Sequence, residues 1–280
     1  MNYANMHFHS TYSDGGFTPY QLTLIGKSLG YSALVLTDHE TDGGVPEFQK
    51  ACDSQGIESL VGVELYGLHD GHQPHIVALD YDVDDPGIRA FIGERRELRN
   101  EFTRKCVERG IRLGFIHDFT WNDVLDYVRD NSWICINQVV AAMKHKKVMD
   151  PSETGAELRQ NVFKGEEVLS LEPPHPTAEQ TIRAIRRAGG IAVLAHPNNK
   201  THYVEELMGY GLNGIEVSHP DITPETERLA IEAAKTYKLY RSGGTDHTGA
   251  MSCCSGKFAI PALQGISEED FYIIKERKLG

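Results

Sequence analysis

The sequence predicts an α/β fold in which short, buried strands alternate with helices. Residues 32–37 and 190–196 are almost continuous apolar runs, as is typical of parallel strands that are covered on both faces. Helical patterns follow these runs, and strands that alternate with helices indicate βαβ units. The length of 280 residues allows one large domain or two, and α/β barrels often reach this size as one domain. We therefore expect a parallel α/β barrel.

The first 84 residues supply the opening elements of this barrel. A capping threonine and a proline in the first turn favour a helix start, so we place the first helix from Thr18-Pro19 to Gly30. The other elements predicted here are strands at 32–37, 58–64 and 75–80 and a helix at 45–55.

The pattern changes between residues 85 and 164, where helical stretches occur and convincing strands are missing. We interpret residues 85–164 as a helical insertion into a barrel formed by residues 1–84 and 165–280. The longest predicted helix, 87–109, has a basic face. Such a face is usually just solvated, but here it could also form a lid over an anionic substrate.

The alternation of strands and helices resumes after the insertion. Thr177 is expected to cap one helix, and Ser267 is expected to cap the last helix of the chain. The predicted strands lie at 166–171, at 190–196, at 214–218 and from 239 onward, and the helices between them lie at 177–188, 204–210 and 224–237.

The composition excludes several classes of function. A formal net charge of -12 argues against a protein that coats nucleic acid or lies on a membrane surface. The sequence contains no run of about 18 apolar residues and no signal-peptide pattern at its start. Five cysteines without a CxxC pair fit a reducing compartment. We expect a cytoplasmic protein with no membrane partner and no stable nucleic-acid partner.

Histidine and acidic residues recur where the predicted strands end. His7 and His9 would point to the same face of a strand, and a Ser-Asp-Gly-Gly turn would bring Asp14 back over its end. In a parallel barrel the carboxyl ends of all strands open on one face. A single histidine or acidic residue at a strand end more often has a structural role than binds a metal. A set repeated at successive strand ends, however, predicts metal ligands. The predicted ligands are His7, His9, Asp14, His39, Glu64, His75, His196, Asp246 and His247.

The types of residue in this set restrict the metal. Imidazole and carboxylate together suit Zn²⁺, Mn²⁺ or Fe²⁺, and the lack of a thiolate argues against a structural zinc site. Nine ligands are too many for one ion. We therefore expect two or three divalent ions, with Glu64 as a candidate bridging ligand.

Six short motifs resemble those of the PHP (polymerase and histidinol phosphatase) family. They are HxHxxxxSDG at 7–15, TDH at 37–39, GVE at 62–64, PHIV at 74–77, AHP at 195–197 and GTDH at 244–247. The chain looks most like the stand-alone bacterial phosphoesterases of this family, which include nucleoside 3′,5′-bisphosphate phosphatases and short-RNA 5′ exonucleases.

The resemblance implies a fold and a reaction. It implies a distorted (β/α)₇ barrel with a helical insertion and a trinuclear metal site. It also implies that the chain is a phosphoric monoester hydrolase, in which metal-bound hydroxide attacks the phosphorus of a nucleotide or another small phosphorylated metabolite. Exonuclease activity on short oligonucleotides is the alternative within the family.

The chain departs from the pattern of these relatives at two places. Their insertion carries an Arg-x-His motif, whereas residues 135–143 here have neither that arginine nor that histidine. We therefore expect a simple monophosphate to be preferred over a 3′,5′-bisphosphate. The relatives end with Asp-x-His where this chain has Asp246-His247-Thr248, so the third metal is expected to be bound through a shifted His247 or to be bound more weakly.

Four other residues are candidates for contacts to the substrate. Arg95, Arg99 and Lys164 are candidates for binding phosphate, although such residues are more often plain surface charge. His219 follows a predicted strand, and it could support a metal ligand or contact the substrate. His117, His145, His175 and His202 are interpreted as surface histidines.

Two other classes of protein deserve comparison. A barrel of the amidohydrolase type also uses strand-end histidines, but usually a lysine bridges its metals, and Glu64 at the bridging position disfavours this class. A regulatory PHP domain without activity would be expected to have lost several ligands, whereas this chain keeps nearly all of them.

Overall fold

The computed structural model describes residues 2–249 and 264–279, and it confirms an α/β fold. The first sheet is parallel, with Ala33 paired to Ala4 on one side and to Glu58 on the other. Two helices connect its strands. The elements in chain order are β1 (Ala4–Asn5), α1 (Pro19–Ser28), β2 (Ala33–Leu34), α2 (Val45–Gln55) and β3 (Glu58–Ser59).

The second sheet has five strands in the order β4-β5-β6-β7-β8. Its strands are β4 (Gly62–Tyr66), β5 (His75–Leu79), β6 (Ile191–Leu194), β7 (Gly214–Ser218) and β8 (Tyr240–Gly243). β5 runs antiparallel to both β4 and β6, whereas β6, β7 and β8 are mutually parallel. The expectation of a wholly parallel arrangement is therefore wrong at β5. Only residues 67–74 join β4 to β5, and a parallel crossover needs a dozen residues or more.

Single bridges join the edges of the two sheets. Phe8 pairs with His247 beyond the ends of β1 and β8, and His39 pairs with Glu64 beyond the end of β2. Within residues 2–249 and 264–279 the strands form these two sheets and no closed barrel. The bridges nevertheless bring the predicted ligands of both sheets to one place.

Helices fill the segment between β5 and β6. They are α3 (Pro86–Arg112), α4 (Trp121–Tyr127), α5 (Ile136–His145), α6 (Ala156–Val162), α7 (Glu166–Leu169) and α8 (Ala178–Arg187). Phe102, Val139 and Val162 belong to a hydrophobic cluster built by α3 to α7 and their connections. The strand predicted at 166–171 is wrong. Val168 is its one buried residue, so the segment has no apolar face to place in a sheet.

The remaining helices cover the second sheet and the end of the first. They are a 3₁₀ turn (Thr201–Tyr203), α9 (Val204–Tyr210), α10 (Pro224–Tyr237) and α11 (Glu268–Lys275). Thr177 and Ser267 cap α8 and α11 through their side chains, as predicted. Phe271 and Ile274 of α11 are buried against the first sheet and the neighbouring strands. No helix in the described part of the chain is long and apolar enough to cross a membrane.

Candidate metal centre

The segment after β1 holds two of the predicted ligands in an extended backbone. The backbone N–H of Met6 donates to Gly243 and that of His9 donates to His247, while Thr37 donates to Phe8 on the other side. Hydrogen bonds on both edges keep this segment strand-like, so alternate side chains point to opposite faces. His7 and His9 therefore share one face, and Phe8 packs against Phe48 on the other.

The first group of candidate ligand atoms lies where the two sheets meet. The His9 Nε2 atom is 2.9 Å from Asp246 Oδ1, and the His7 Nε2 atom is 3.7 Å from the same oxygen. Glu64 Oε2 lies 3.3 Å from His7 Nε2 and 3.4 Å from His9 Nε2. Two imidazoles and two carboxylates thus converge on one position.

A second group uses the other oxygen of Glu64. Glu64 Oε1 lies 2.8 Å from His75 Nδ1 and 3.1 Å from His196 Nε2. His75 begins β5 rather than ending a strand, and the antiparallel direction of β5 places this start at the edge where β4 ends. The carboxylate of Glu64 faces both groups, one oxygen to each, which is the geometry that a bridging ligand needs.

His39 and Asp14 lie on the outer side of this cluster. His39 Nδ1 is 3.0 Å from Glu64 Oε2. Asp14 Oδ1 is 3.8 Å from His9 Nδ1 and 3.9 Å from His39 Nε2. The structure therefore brings eight of the nine predicted ligands together, with Asp14 at the rim.

The ninth residue, His247, is placed differently. Its ring stacks on Phe17 with centroids 5.8 Å apart. Asp246 and His247 are adjacent in the chain, and the Asp246 side chain already faces His9. Among the described residues, none of the groups of converging ligand atoms includes His247.

Sequence reasoning missed Glu216 in β7. This carboxylate is fully buried, with one oxygen 2.7 Å from His7 Nδ1 and the other accepting a 2.6 Å hydrogen bond from the backbone N–H of His196. When Nδ1 of His7 donates to Glu216, the lone pair of Nε2 is directed into the first group. A glutamate inside the apolar run 214–218 was a visible signal, because an acid is rarely buried without a partner.

His219 contacts the cluster through Asp246. Its Nε2 atom is 3.3 Å from Asp246 Oδ2. The backbone N–H of Asp221 donates to its Nδ1 atom at 3.0 Å, so the neutral ring carries its proton on Nε2, facing the Asp246 carboxylate. Of the two roles considered from the sequence, this geometry fits the support of a ligand.

Mutual electrostatics set the charge of the cluster. Burial alone would raise the pKa of Glu64, but His7, His75 and His39 lower that pKa by more, and it ends well below its ordinary value. Burial alone would lower the pKa of His7, but Glu216 and Glu64 raise it well above its ordinary value. Burial dominates at His75 and lowers its pKa to about 4. The buried Glu64 carboxylate is therefore ionised, and its negative charge favours a cation at the cluster.

The backbone is strained at three residues beside the cluster. Glu40, His196 and Asp246 have φ angles of 45°, 24° and 47°, in the left-handed region that residues other than glycine rarely adopt. Such strain persists where the surrounding structure fixes the backbone, and it concentrates at functional sites.

The donor set fits divalent metal ions. His7 Nε2, His9 Nδ1, Asp14 Oδ1, His39 Nδ1 and Glu64 Oε2 are buried and have no hydrogen bond within the described chain. Buried polar atoms are normally satisfied, and a cation bound by nitrogen and oxygen atoms would satisfy atoms of this kind. Among the described residues, candidate ligand atoms converge in four overlapping groups of three side chains: His7, His9 and Asp246; His9, His39 and Glu64; Glu64, His75 and His196; and His7, Glu216 and His219.

Arg99 lies near the cluster, and among the described residues it forms no ion pair. Its guanidinium lies 4.8 Å from the ring centre of Trp133 and 5.1 Å from that of Phe102. Its Nε atom is buried and has no hydrogen-bond partner among the described residues. Trp133 in turn lies 5.2 Å from the ring of His39, so this cation is one ring away from a candidate metal ligand.

The other predicted phosphate contacts are placed less favourably. Arg95 is buried and donates to the carbonyl of Pro174 at 3.0 Å, so at least part of its guanidinium has a structural role. Lys164 lies exposed in the connection between α6 and α7. His175, interpreted from the sequence as a surface residue, is half-buried at the mouth, 6.2 Å from the ring of Tyr66.

Comparison with known proteins finds relatives that act on phosphate esters. Residues 5–112 match the model of the PHP domain. The chain is 28% identical over 249 residues to a phosphoribosyl 1,2-cyclic phosphate 1,2-diphosphodiesterase of Eggerthella lenta, covering 88% of this chain and 94% of that protein. It is also 28% identical over 259 residues to a 3′,5′-nucleoside bisphosphate phosphatase of Chromobacterium violaceum, covering 86% of each.

A solved structure shares the fold over nearly the whole chain. It belongs to a Bifidobacterium adolescentis protein described as a candidate metal-dependent phosphoesterase. The TM-score is 0.79 at 24% sequence identity, with 98% of this chain and 96% of that chain covered. The resemblance to the PHP family, first seen in six short motifs, is confirmed.

Proposed function

We propose that this chain, whose residues 5–112 match the model of the PHP domain, is a metal-dependent phosphoesterase that hydrolyses a small phosphorylated molecule. One observation carries this proposal. The two oxygens of one buried carboxylate, Glu64, each face a separate set of imidazole nitrogens, at distances of 2.8–3.4 Å. This arrangement suits two adjacent cations, and paired cations are typical of enzymes that act on phosphate esters.

Two ions would be held by side chains from both sheets. His7, His9, Glu64 and Asp246 would hold one ion, and Glu64, His75 and His196 would hold the other. Mn²⁺, Zn²⁺ and Fe²⁺ all fit imidazole and carboxylate ligands. When bound, such ions polarise the phosphoryl group and make water a stronger nucleophile at neutral pH. Asp14 and His39 could take part in a third site.

The protein's own residues orient these ligands and the substrate. Glu216 holds His7 in the tautomer that presents Nε2 to the cluster, and it also holds the backbone of His196. His219 holds Asp246 through its Nε2 atom. Arg99, held over Trp133, would receive the phosphoryl oxygens that point away from the metal centre.

We favour a phosphomonoester as the substrate over a diester. A monoester carries one more negative charge than a diester at neutral pH, so it gains more from Arg99, which has no ion pair in the part of the chain that the structure describes. The diphosphodiesterase among the relatives makes the diester the second candidate.

We also propose that the two sheets are parts of one distorted (β/α)₇ barrel with residues 85–164 as a lid. The bridges Phe8–His247 and His39–Glu64 support a continuous order of strands around the site. Trp133, whose ring lies 5.2 Å from that of His39, and Arg99, which lies against Trp133, support the lid.

A phosphate-release screen with added Mn²⁺ tests the proposal. It would compare p-nitrophenyl phosphate, sugar phosphates, nucleotides and 3′,5′-bisphosphates with bis(p-nitrophenyl) phosphate as the diester. We expect turnover of monoesters that a chelator removes, that Mn²⁺ restores and that Glu64→Gln abolishes. Turnover of amides or lactones without turnover of any phosphate ester would overturn the assignment in favour of the amidohydrolase type.

A further inference from the structure

A small cavity lies between the turn at residues 11–18 and the helices α4 and α5. Its volume is about 240 Å³. The turn contributes Thr11, Asp14 and Thr18, and the helical region contributes Tyr127, Arg129 and Asn137 among others. The two parts are joined at this place, because the Asn137 side chain donates a 3.0 Å hydrogen bond to the carbonyl of Asp14.

The cavity shares a wall with the candidate metal centre. Asp14 lines the cavity, and its Oδ1 atom lies 3.8 Å from His9 Nδ1 and 3.9 Å from His39 Nε2. A substrate whose phosphoryl group occupied the centre could therefore extend past Asp14 into this cavity. Arg99 stands elsewhere, over Trp133 next to His39, and it does not line the cavity.

The wall of the cavity offers a polar atom that suits a hydroxyl group. Thr11 Oγ1 is buried and has no hydrogen-bond partner in the described part of the chain, whereas Asp14 Oδ1 belongs to the donor set of the candidate metal centre. A hydroxyl group can both donate to and accept from the threonine. Gln138 is already committed, since its amide accepts from Cys135 N and donates to Trp133 O.

The charges of the wall disfavour a second phosphate. Arg129 is the one cation among the described residues that line the cavity. Its guanidinium donates to Glu47 at 2.7 Å and lies over the ring of Tyr12, so its charge is already paired. Asp14 adds a negative charge on the side nearest the metal centre. A phosphate in the cavity would lose water without gaining an unpaired cation.

We infer that this cavity binds the alcohol part of the substrate, and that this part is uncharged and hydroxylated, as a sugar is. The inference rests on the proposed phosphoesterase function and names the class of its substrate. A volume of about 240 Å³ lies below the range usual for pockets that hold drug-sized ligands, so it fits one ring rather than a nucleotide chain.

Substrate preference in the wild type and in cavity variants tests this inference. The measurement is kcat/KM for a sugar monophosphate, a sugar bisphosphate and p-nitrophenyl phosphate, all with Mn²⁺. We expect the sugar monophosphate to be preferred over the bisphosphate. Thr11→Val keeps the shape of the side chain and removes its hydroxyl. It should therefore lower kcat/KM for the sugar monophosphate, relative to kcat/KM for p-nitrophenyl phosphate, about fivefold to tenfold. Thr236→Val, on the exposed face of α10, is the matched control and should not change this ratio.

A charge change in the cavity gives a second, independent result. Ala141 lines the cavity from α5, and Ala141→Arg should shift the preference towards the bisphosphate, whereas Ala141→Gln, similar in length and neutral, should not. This inference is wrong if the wild type prefers the bisphosphate, or if these variants leave every ratio of kcat/KM between substrates unchanged. In either case, turnover of p-nitrophenyl phosphate means that the phosphoesterase assignment stands. If no phosphate ester is hydrolysed, both are wrong.

Discussion

A buried carboxylate that holds a candidate metal ligand in place affects how well a metal ion binds. Glu216 accepts from the ring of His7 and from the backbone of His196, and these two residues belong to the two different groups around Glu64. An amide at this position could accept from one partner but would direct its NH₂ group towards the other. Glu216 therefore couples the geometry of the two groups.

Replacing Glu216 tests this coupling. Glu216→Gln should weaken metal binding about 10-fold to 100-fold, as is typical when the hydrogen-bond partner of a ligating histidine is changed. Competition with a chelator of known affinity measures this directly on the folded protein. Glu227→Gln on the exposed face of α10 is the control. Equal metal affinity in the wild type and Glu216→Gln would show that His7 needs no such support.

Arg99 allows a test of phosphate recognition. Arg99→Met keeps the length of the side chain and its packing on Trp133 but removes the charge. We expect kcat/KM to fall about 10-fold to 100-fold for a monoester and by less for a diester, because charge-assisted hydrogen bonds to a dianion are lost. Arg104→Met, on the same helix but paired to Glu101 and Glu108, should change neither. Equal losses on both ester classes would contradict the role given to Arg99.

Most of the centre could be predicted at the level of residues, because its ligands stand at ends of apolar runs. His7, Glu64 and Asp246 lie close together as the spacing predicted. Glu216 escaped notice because it lies inside β7 rather than at the end of this strand. The pairing of β7 with β8 shifts register between Glu216 and Ser218. The side-chain direction of His247 depends on the φ angle of 47° at Asp246, which no sequence pattern reports.

At the level of elements, the direction of β5 was the main error. Its apolar run looks like the parallel strands, and only the short connection 67–74 indicates that it must turn back on β4. The reversal does not disturb the site, since it brings the first residue of β5, His75, to the edge where Glu64 stands.

The last helix, α11, is anchored to the first sheet through Glu58. The hydroxyls of Tyr3 and Tyr272 donate to Glu58 Oε1 at 2.8 Å and 2.6 Å, and Lys275 forms an ion pair with Glu58 Oε2. Burial alone would raise the pKa of Glu58, but Lys275 and the two tyrosine hydroxyls lower it by more, so the net pKa lies below its ordinary value. Ionised Glu58 therefore stabilises the attachment of α11.

The pH dependence of stability tests this anchor. A carboxyl group whose pKa is lowered in the folded state contributes stability above its ordinary pKa, and this contribution is lost as the pH falls through the folded value. Glu58→Gln should therefore lower the free energy of unfolding by about 1 kcal/mol or less at pH 7, and the difference should shrink below about pH 4. Urea unfolding at both pH values measures it. The control is Glu269→Gln on the exposed side of α11, and a deficit that persists undiminished at low pH would contradict the electrostatic explanation.

At the level of the whole molecule, the candidate metal centre is the place where separate parts of the chain converge. His7 and His9 follow a strand of the first sheet, Glu64, His75 and His196 belong to the second sheet or its edge, and Trp133 arrives from the helical region. From the sequence, this convergence could be predicted only for the residues at strand ends, because strand ends meet at one edge of a sheet. The packing of residues 102–168 around their own hydrophobic cluster, and hence the position of Trp133, depends on long-range contacts that periodicity does not encode.

Elemental analysis tests most directly whether Glu64 joins two metal sites. Wild-type protein and Glu64→Gln would be reconstituted with excess Mn²⁺ or Zn²⁺, desalted and measured for metal per chain, with Glu227→Gln as the control. We predict at least two ions per chain in the wild type and in the control, and fewer in Glu64→Gln, because one carboxylate serves both groups. At most one ion per wild-type chain, or full metal content in Glu64→Gln, would contradict a centre built around this residue.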